Sequence, residues 1–150
     1  MQITGRTVIT SRLERILAIL AAVVCLIVTL VIWISISAYQ NMWPLPGLYF
    51  AEMVTLSMIS GFLFVCGDAR ASLITWLAAG VITAFSILGA FSIGFFYLPV
   101  ALLLVIVSII WDVRDKQHIP AHLGLFLIAG LVQSILMLAA IPLFYPSTVF

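Results

Sequence analysis

The sequence predicts an all-α fold: a polytopic membrane helix bundle of five transmembrane helices, N-terminus inside and C-terminus outside. Three observations predict it. The 150 residues are 65% hydrophobic and only 7% charged, with a mean hydropathy of +1.36, whereas a soluble domain carries roughly a quarter charged residues. The apolar residues fall in runs long enough to cross a bilayer, which takes about 20 residues. Finally, the six Lys and Arg can all be placed on one side of a membrane.

The first run covers residues 16–36 and follows Arg6, Arg12 and Arg15. At 21 residues it exceeds the roughly 7–15 of a signal-peptide core, so it reads as an uncleaved signal-anchor helix. Ser11-Arg12-Leu13-Glu14 reads as a capping box at its start, with Glu14 reaching back from the third helical position. The second run is 47–66, approached through Pro44 and Pro46. Gly67-Asp68 then closes the second helix and caps the third in a hairpin a few residues long.

The stretch 71–111 holds 41 residues without a charge, roughly 60 Å if continuously helical. No bilayer is that thick, so it folds into two spans. The turn falls at Ala90-Phe91-Ser92-Ile93-Gly94, and Pro99 suits the first turn of the returning helix, where its missing N–H costs least. A fifth run, 121–144, starts behind Pro120. The predicted helices are therefore 12–37, 47–66, 70–90, 95–111 and 120–144, in a single transmembrane domain spanning residues 1–150.

Charge tests the count independently. Five spans with the N-terminus inside put Arg6, Arg12, Arg15, Arg70, Arg114 and Lys116 in the cytoplasm, as the positive-inside rule requires. Four spans would put Arg114 and Lys116 outside. Tyr39, Tyr49, Tyr97 and Tyr145 fall at the expected outer interface, with Trp33 and Trp43 near it, and Trp76 and Trp111 near the inner one. The loops 38–46 and 112–120 are too short to be soluble domains.

Few groups are left for chemistry. Glu52 is the one acidic residue inside an apolar run. A mid-bilayer charge costs about 2.5–3.5 kcal/mol on insertion scales and marks a functional hypothesis, but near the headgroups such a side chain can reach water and act only in packing. Gln133, near mid-depth, reads as a helix contact or a mark on a permeation path. Glu52 and Gln133 are thus the candidate intramembrane polar site. Small residues four apart, among them Ser57 and Gly61, Gly80 and Ala84, and Gly130 and Ser134, permit close helix approach. Ser86, Ala90 and Gly94 form the candidate packing run at the third hairpin.

Asp112, Asp115, His118 and His122 are spaced three, three and four, and on one continuous helix they would share a face. Asp and His together suit a divalent metal, and two His a haem. Against that, Pro120 interrupts the helix and Arg114 and Lys116 mark a solvated positive-inside loop. No metal site is therefore assigned to these four residues. Phosphate-binding glycine loops, HExxH, paired intramembrane Asp and nucleophile–His pairs are all missing from the sequence. The reading assigns no catalytic residue, no cofactor and no metal. Cys25 and Cys66 would lie at different depths, too far apart for a disulfide, and six scattered cations make no nucleic-acid surface.

The segment Gly89-Ala90-Phe91-Ser92-Ile93-Gly94-Phe95-Phe96-Tyr97-Leu98-Pro99 and its continuation to Trp111 resembles the helix-hairpin segment of small uncharacterised bacterial multi-span membrane proteins. That resemblance implies a multi-pass protein of the bacterial cytoplasmic (plasma) membrane and no activity.

The expected function is that of a non-enzymatic integral membrane protein. It would be an accessory or scaffold subunit whose partners are the lipid bilayer and other membrane protein subunits or itself, with no nucleic acid. The alternative is a small oligomeric transporter or channel using Glu52. The one-sided cations and odd span number argue against a dual-topology antiporter of the small multidrug-resistance type.

Overall fold

The computed structural model describes residues 12–39, 44–90, 92–115 and 119–144, apart from the side chains at 141, 143 and 144. Every regular element among them is helical: α1 (Arg12–Ser37), α2 (Leu45–Cys66), α3 (Ala71–Leu88), a 3-10 turn (Gly94–Tyr97), α4 (Leu98–Arg114) and α5 (Ile119–Phe144). All five α-helical segments, α4 together with its preceding turn, are long and apolar enough to cross a membrane.

The boundaries follow local chemistry. α2 ends where Gly67 takes the left-handed conformation (φ 67°, ψ 34°), with its own N–H and that of Asp68 bonded to the carbonyls of Phe64 and Leu63. This double closure is the αL glycine stop. The Asp68 carboxylate then accepts the Arg70 N–H at 2.8 Å, which satisfies a backbone donor where α3 begins. α2 starts at Leu45, two residues before the expected 47, because Pro46 fits an N-terminal turn that needs no N–H from it. α3 stops at Leu88, short of the expected 90, and α4 runs past Trp111 to Arg114. The fold-back of 71–111 into two spans is as expected, with Pro99 in the first turn of α4. Ser11, the N-cap of the proposed capping box, lies outside the described residues, as do Arg6, Trp43, Phe91, Lys116, His118 and Tyr145.

α1 packs on α2 and α4, and α3 packs on α2 and α4, so these four close a ring. α5 lies outside the ring, docked on the outer side of α3. The ring interior is filled by Phe50, Met53, Ile82, Phe85, Tyr97, Val100 and Leu104. Nearer the end that carries Arg15, Arg70 and Arg114 (the basic end), Phe64 and Trp111 fill it, with ring centroids 5.1 Å apart, edge to face.

Small residues set how closely the helices approach. α5 crosses α3 at Gly80, where a Cβ would stand 2.3 Å from the Phe126 carbonyl oxygen and 3.1 Å from Ala129 Cβ. At the α3–α4 turn a Cβ on Gly94 would stand 2.6 Å from the Phe85 carbonyl oxygen and 2.7 Å from Gly89 Cα. The close approach at this hairpin is thus Gly94 against Gly89. Of the expected packing run, Ser86 is buried and back-bonds to Ile82, while Ala90 is exposed. Its four-residue spacing does not continue across the turn, because α3 ends before Ala90.

Candidate functional site

Two polar centres join the helices, at different depths. The larger sits at the basic end and is organised by the last turn of α4. Asp112 is fully buried and accepts from three sides. Ser72 Oγ donates to its Oδ1 at 2.5 Å, Trp76 Nε1–H donates to its Oδ2 at 2.7 Å, and His122 Nδ1 lies 2.7 Å from the same oxygen. Where the carboxylate is ionised it can only accept, and the Nδ1 hydrogen makes this bond. Ser72 and Trp76 are four apart on α3 and present one face; His122 comes from the first turn of α5.

One residue before and two residues after Asp112, the same turn of α4 reaches the remaining helices. Trp111 meets Phe64 of α2. Arg114 Nη1 lies 2.7 Å from Glu14 Oε2 of α1, and its guanidinium carbon sits 5.0 Å over the Trp111 ring. Glu14 is itself fully buried. A buried carboxylate is tolerated when it is paired and hydrogen-bonded, and both of these are. The last turn of α4 therefore touches all four of its companion helices.

This corrects the reading of 112–120 as a solvated loop. Asp115 is exposed, but Asp112 is interior, and His122 of α5 is drawn onto it. The three, three and four spacing of Asp112, Asp115, His118 and His122 is not the relevant pattern, because α4 stops at Arg114 and α5 begins at Ile119. Among the described residues no group of three His, Cys, Asp or Glu is placed to hold a metal. Trp76 is likewise interior, with its N–H committed to Asp112, and Trp111 is buried as well.

The second centre joins α2 and α5. Gln133 Nε2 donates to Glu52 Oε2 at 2.9 Å. Gln133 is buried and Glu52 half-buried. The two residues singled out in the sequence as intramembrane polar groups thus meet each other, across 81 positions.

A third tie was missed. Tyr97, expected among the interfacial rings, is fully buried, and its hydroxyl lies 2.8 Å from Thr29 Oγ1 of α1. The 3-10 turn tips the ring inward, where it packs edge-on to Phe85 at 5.3 Å and along Phe50 at 6.3 Å. Thr29 also donates to the Cys25 carbonyl at 2.8 Å. Tyr39, by contrast, is exposed and Tyr49 half-buried. Period and spacing carry no signal for Tyr97, since its burial depends on how α4 is entered.

No protein-family model, no curated protein and no solved structure matches this chain.

Proposed function

We infer that the chain is a five-span protein of the bacterial cytoplasmic membrane, N-terminus in and C-terminus out, acting as a non-enzymatic accessory or scaffold subunit packed against other membrane proteins or copies of itself. The observation that carries the reading is the contrast between the apolar flanks of α5 and α1 and the polar groups. α5 rests on α3 along one side only, and its other sides carry Leu127, Leu131, Ile135 and Leu138 outward. α1 likewise presents Ile16, Val23, Ile27 and Ile34. Meanwhile Glu14, Asp112 and Glu52, the three carboxylates set within helices, are each bonded to another helix. The polar groups hold the bundle together, and the apolar flanks are what it offers to neighbours.

The orientation is supported by the cations. Arg12, Arg15, Arg70 and Arg114 lie at helix ends that the Glu14–Arg114 and Asp112–Ser72 contacts bring to one end of the bundle, which the positive-inside rule assigns to the cytoplasm. The Glu52–Gln133 bond supports packing over transport as the role of that carboxylate, because it accepts from an amide on another helix.

The test is extraction in mild detergent followed by mass measurement of the intact assembly. A fixed stoichiometry, with a partner or with itself, that is lost when Leu131 and Ile135 are both replaced by Ala would support the reading. A partner-free monomer would count heavily against it.

A further inference from the structure

The three carboxylates set within helices are held in different ways. Glu14 faces the Arg114 guanidinium, and Asp112 is bonded to Ser72, Trp76 and His122. Glu52 has one neutral donor, the Gln133 amide, bonded to Oε2 at 2.9 Å. Among the described residues no cation pairs with it. Arg12, Arg15, Arg70 and Arg114 lie at the basic end, and His122 is bonded to Asp112.

The position of Glu52 on α2 sets what it faces. It stands seven residues in from Leu45, about 10 Å along the helix axis. Phe50, Met53 and Ser57 turn into the bundle and are buried. Leu48, Thr55 and Ile59, which share the Glu52 side of the helix, are exposed. Glu52 is half-buried at the border of the two faces. α5 reaches it through Gln133, and the two helices make no broad contact. The carboxyl therefore opens on the flank of the bundle.

We propose that Glu52 is an intramembrane proton-binding site, its carboxyl neutral in the resting protein, with the proton on Oε1, and open to lipid beside α5. The inference rests on α2 spanning the membrane, as in the five-span reading. A carboxylate in hydrocarbon is costly unless a cation or several donors hold it, and Gln133 supplies one N–H. A neutral acid keeps that bond, because its carbonyl oxygen accepts as before while its hydroxyl becomes a donor. The contact between α2 and α5 thus survives proton binding. Release of the proton leaves a charge that the amide alone must hold.

A carbodiimide reads this state, because it adds to a protonated carboxyl. The acid proton moves to a carbodiimide nitrogen and a carboxyl oxygen bonds the central carbon. The resulting O-acylisourea rearranges, by acyl transfer to nitrogen, into a stable N-acylurea with no group lost. The full chain in phospholipid nanodiscs is treated in parallel with dicyclohexylcarbodiimide and with a water-soluble carbodiimide, and the modified residue is located by mass spectrometry. Dicyclohexylcarbodiimide should modify Glu52 faster by roughly tenfold or more, since partition into hydrocarbon concentrates it there. Glu52→Gln should abolish that labelling. Equal or faster modification of Glu52 by the water-soluble reagent overturns both the proton site and the placement of α2 in the membrane. No modification of Glu52 by either reagent, or undiminished labelling of the Glu52→Gln chain, overturns the proton site and leaves the five spans standing. Should that variant fail to fold, the position of the label in the native chain still decides. The subunit reading is tested apart from this, through Leu131 and Ile135.

Discussion

His122 Nδ1 and Asp112 Oδ2 lie 2.7 Å apart and join α5 to α4, two helices that otherwise scarcely touch. The pair works because Asp112 is already fixed by Ser72 and Trp76 of α3. One carboxylate thereby registers three helices at the same depth.

Removing that carboxylate strands three donors in an apolar surrounding. Asp112→Leu is expected to destabilise the protein by about 2 kcal/mol or more, since each buried donor left without a partner costs about 1–3 kcal/mol. Asp112→Asn, which keeps an acceptor oxygen, should lose less. Thermal unfolding in detergent, followed by tryptophan fluorescence, measures both; Trp76 and Trp111 lie at the site. Equal stability of Asp112→Leu and the native chain would show that the cluster is ornamental.

The crossing of α5 over α3 is fixed by an absent side chain. Gly80→Ala puts a methyl 2.3 Å from a backbone oxygen, which no rotamer change relieves, so the two helices must separate by an ångström or so. Gly124→Ala, on the partner helix α5, meets nothing within 4 Å and should leave stability unchanged or slightly raised, because Ala is the better helix former. Disulfide cross-linking between cysteines introduced at Thr83 and Leu127, both lining the open side of this contact, reports the separation: its rate should fall in Gly80→Ala and hold in Gly124→Ala.

The helices themselves were legible in the sequence because the signals that make them, charge-free runs closed by Gly67, Pro99 and Pro120, are local. The fold-back within 71–111 was legible for a different reason, the mismatch between its length and a bilayer. The helix-joining centres were not equally visible. Glu52 and Gln133 stood out as rare polar groups in apolar runs, and they meet. Asp112 was masked by its neighbours: beside Arg114, Asp115 and Lys116 it looks like one more loop charge, and only the helical phase of α4, turning residue 112 inward while 113 to 115 stay exposed, separates it from them. Tyr97 was misplaced by the same kind of blindness, since a 3-10 turn rotates a side chain by an amount that spacing does not encode.

Tyr97 and Thr29 offer a measurement of what one buried interhelical hydrogen bond is worth here. Tyr97→Phe keeps the ring contacts with Phe85 and Phe50 and removes only the bond to Thr29. The expected loss is about 0.6 kcal/mol, and no more than about 1.7. Thr29→Val should lose a similar amount, and the double variant no more than either alone, because both remove the same bond. Additive losses in that cycle would mean the hydroxyls act independently.

Orientation is the remaining relationship on which the membrane reading rests. Six cations fall at positions 6, 12, 15, 70, 114 and 116, and the ends of α1, α3 and α4 that carry 12, 15, 70 and 114 converge on one end of the bundle. If the positive-inside rule governs insertion, single cysteines at 6, 70 and 116 in a background lacking Cys25 and Cys66 should resist a membrane-impermeant maleimide in intact cells and react after permeabilisation. Cysteines at 43 and 150 should react at once. Position 116 is the discriminating one, because it changes sides if 71–111 spans only once. Labelling of residue 116 from outside would break the five-span arrangement and the Glu14–Arg114 pairing together, since Arg114 could not then reach the first turn of α1.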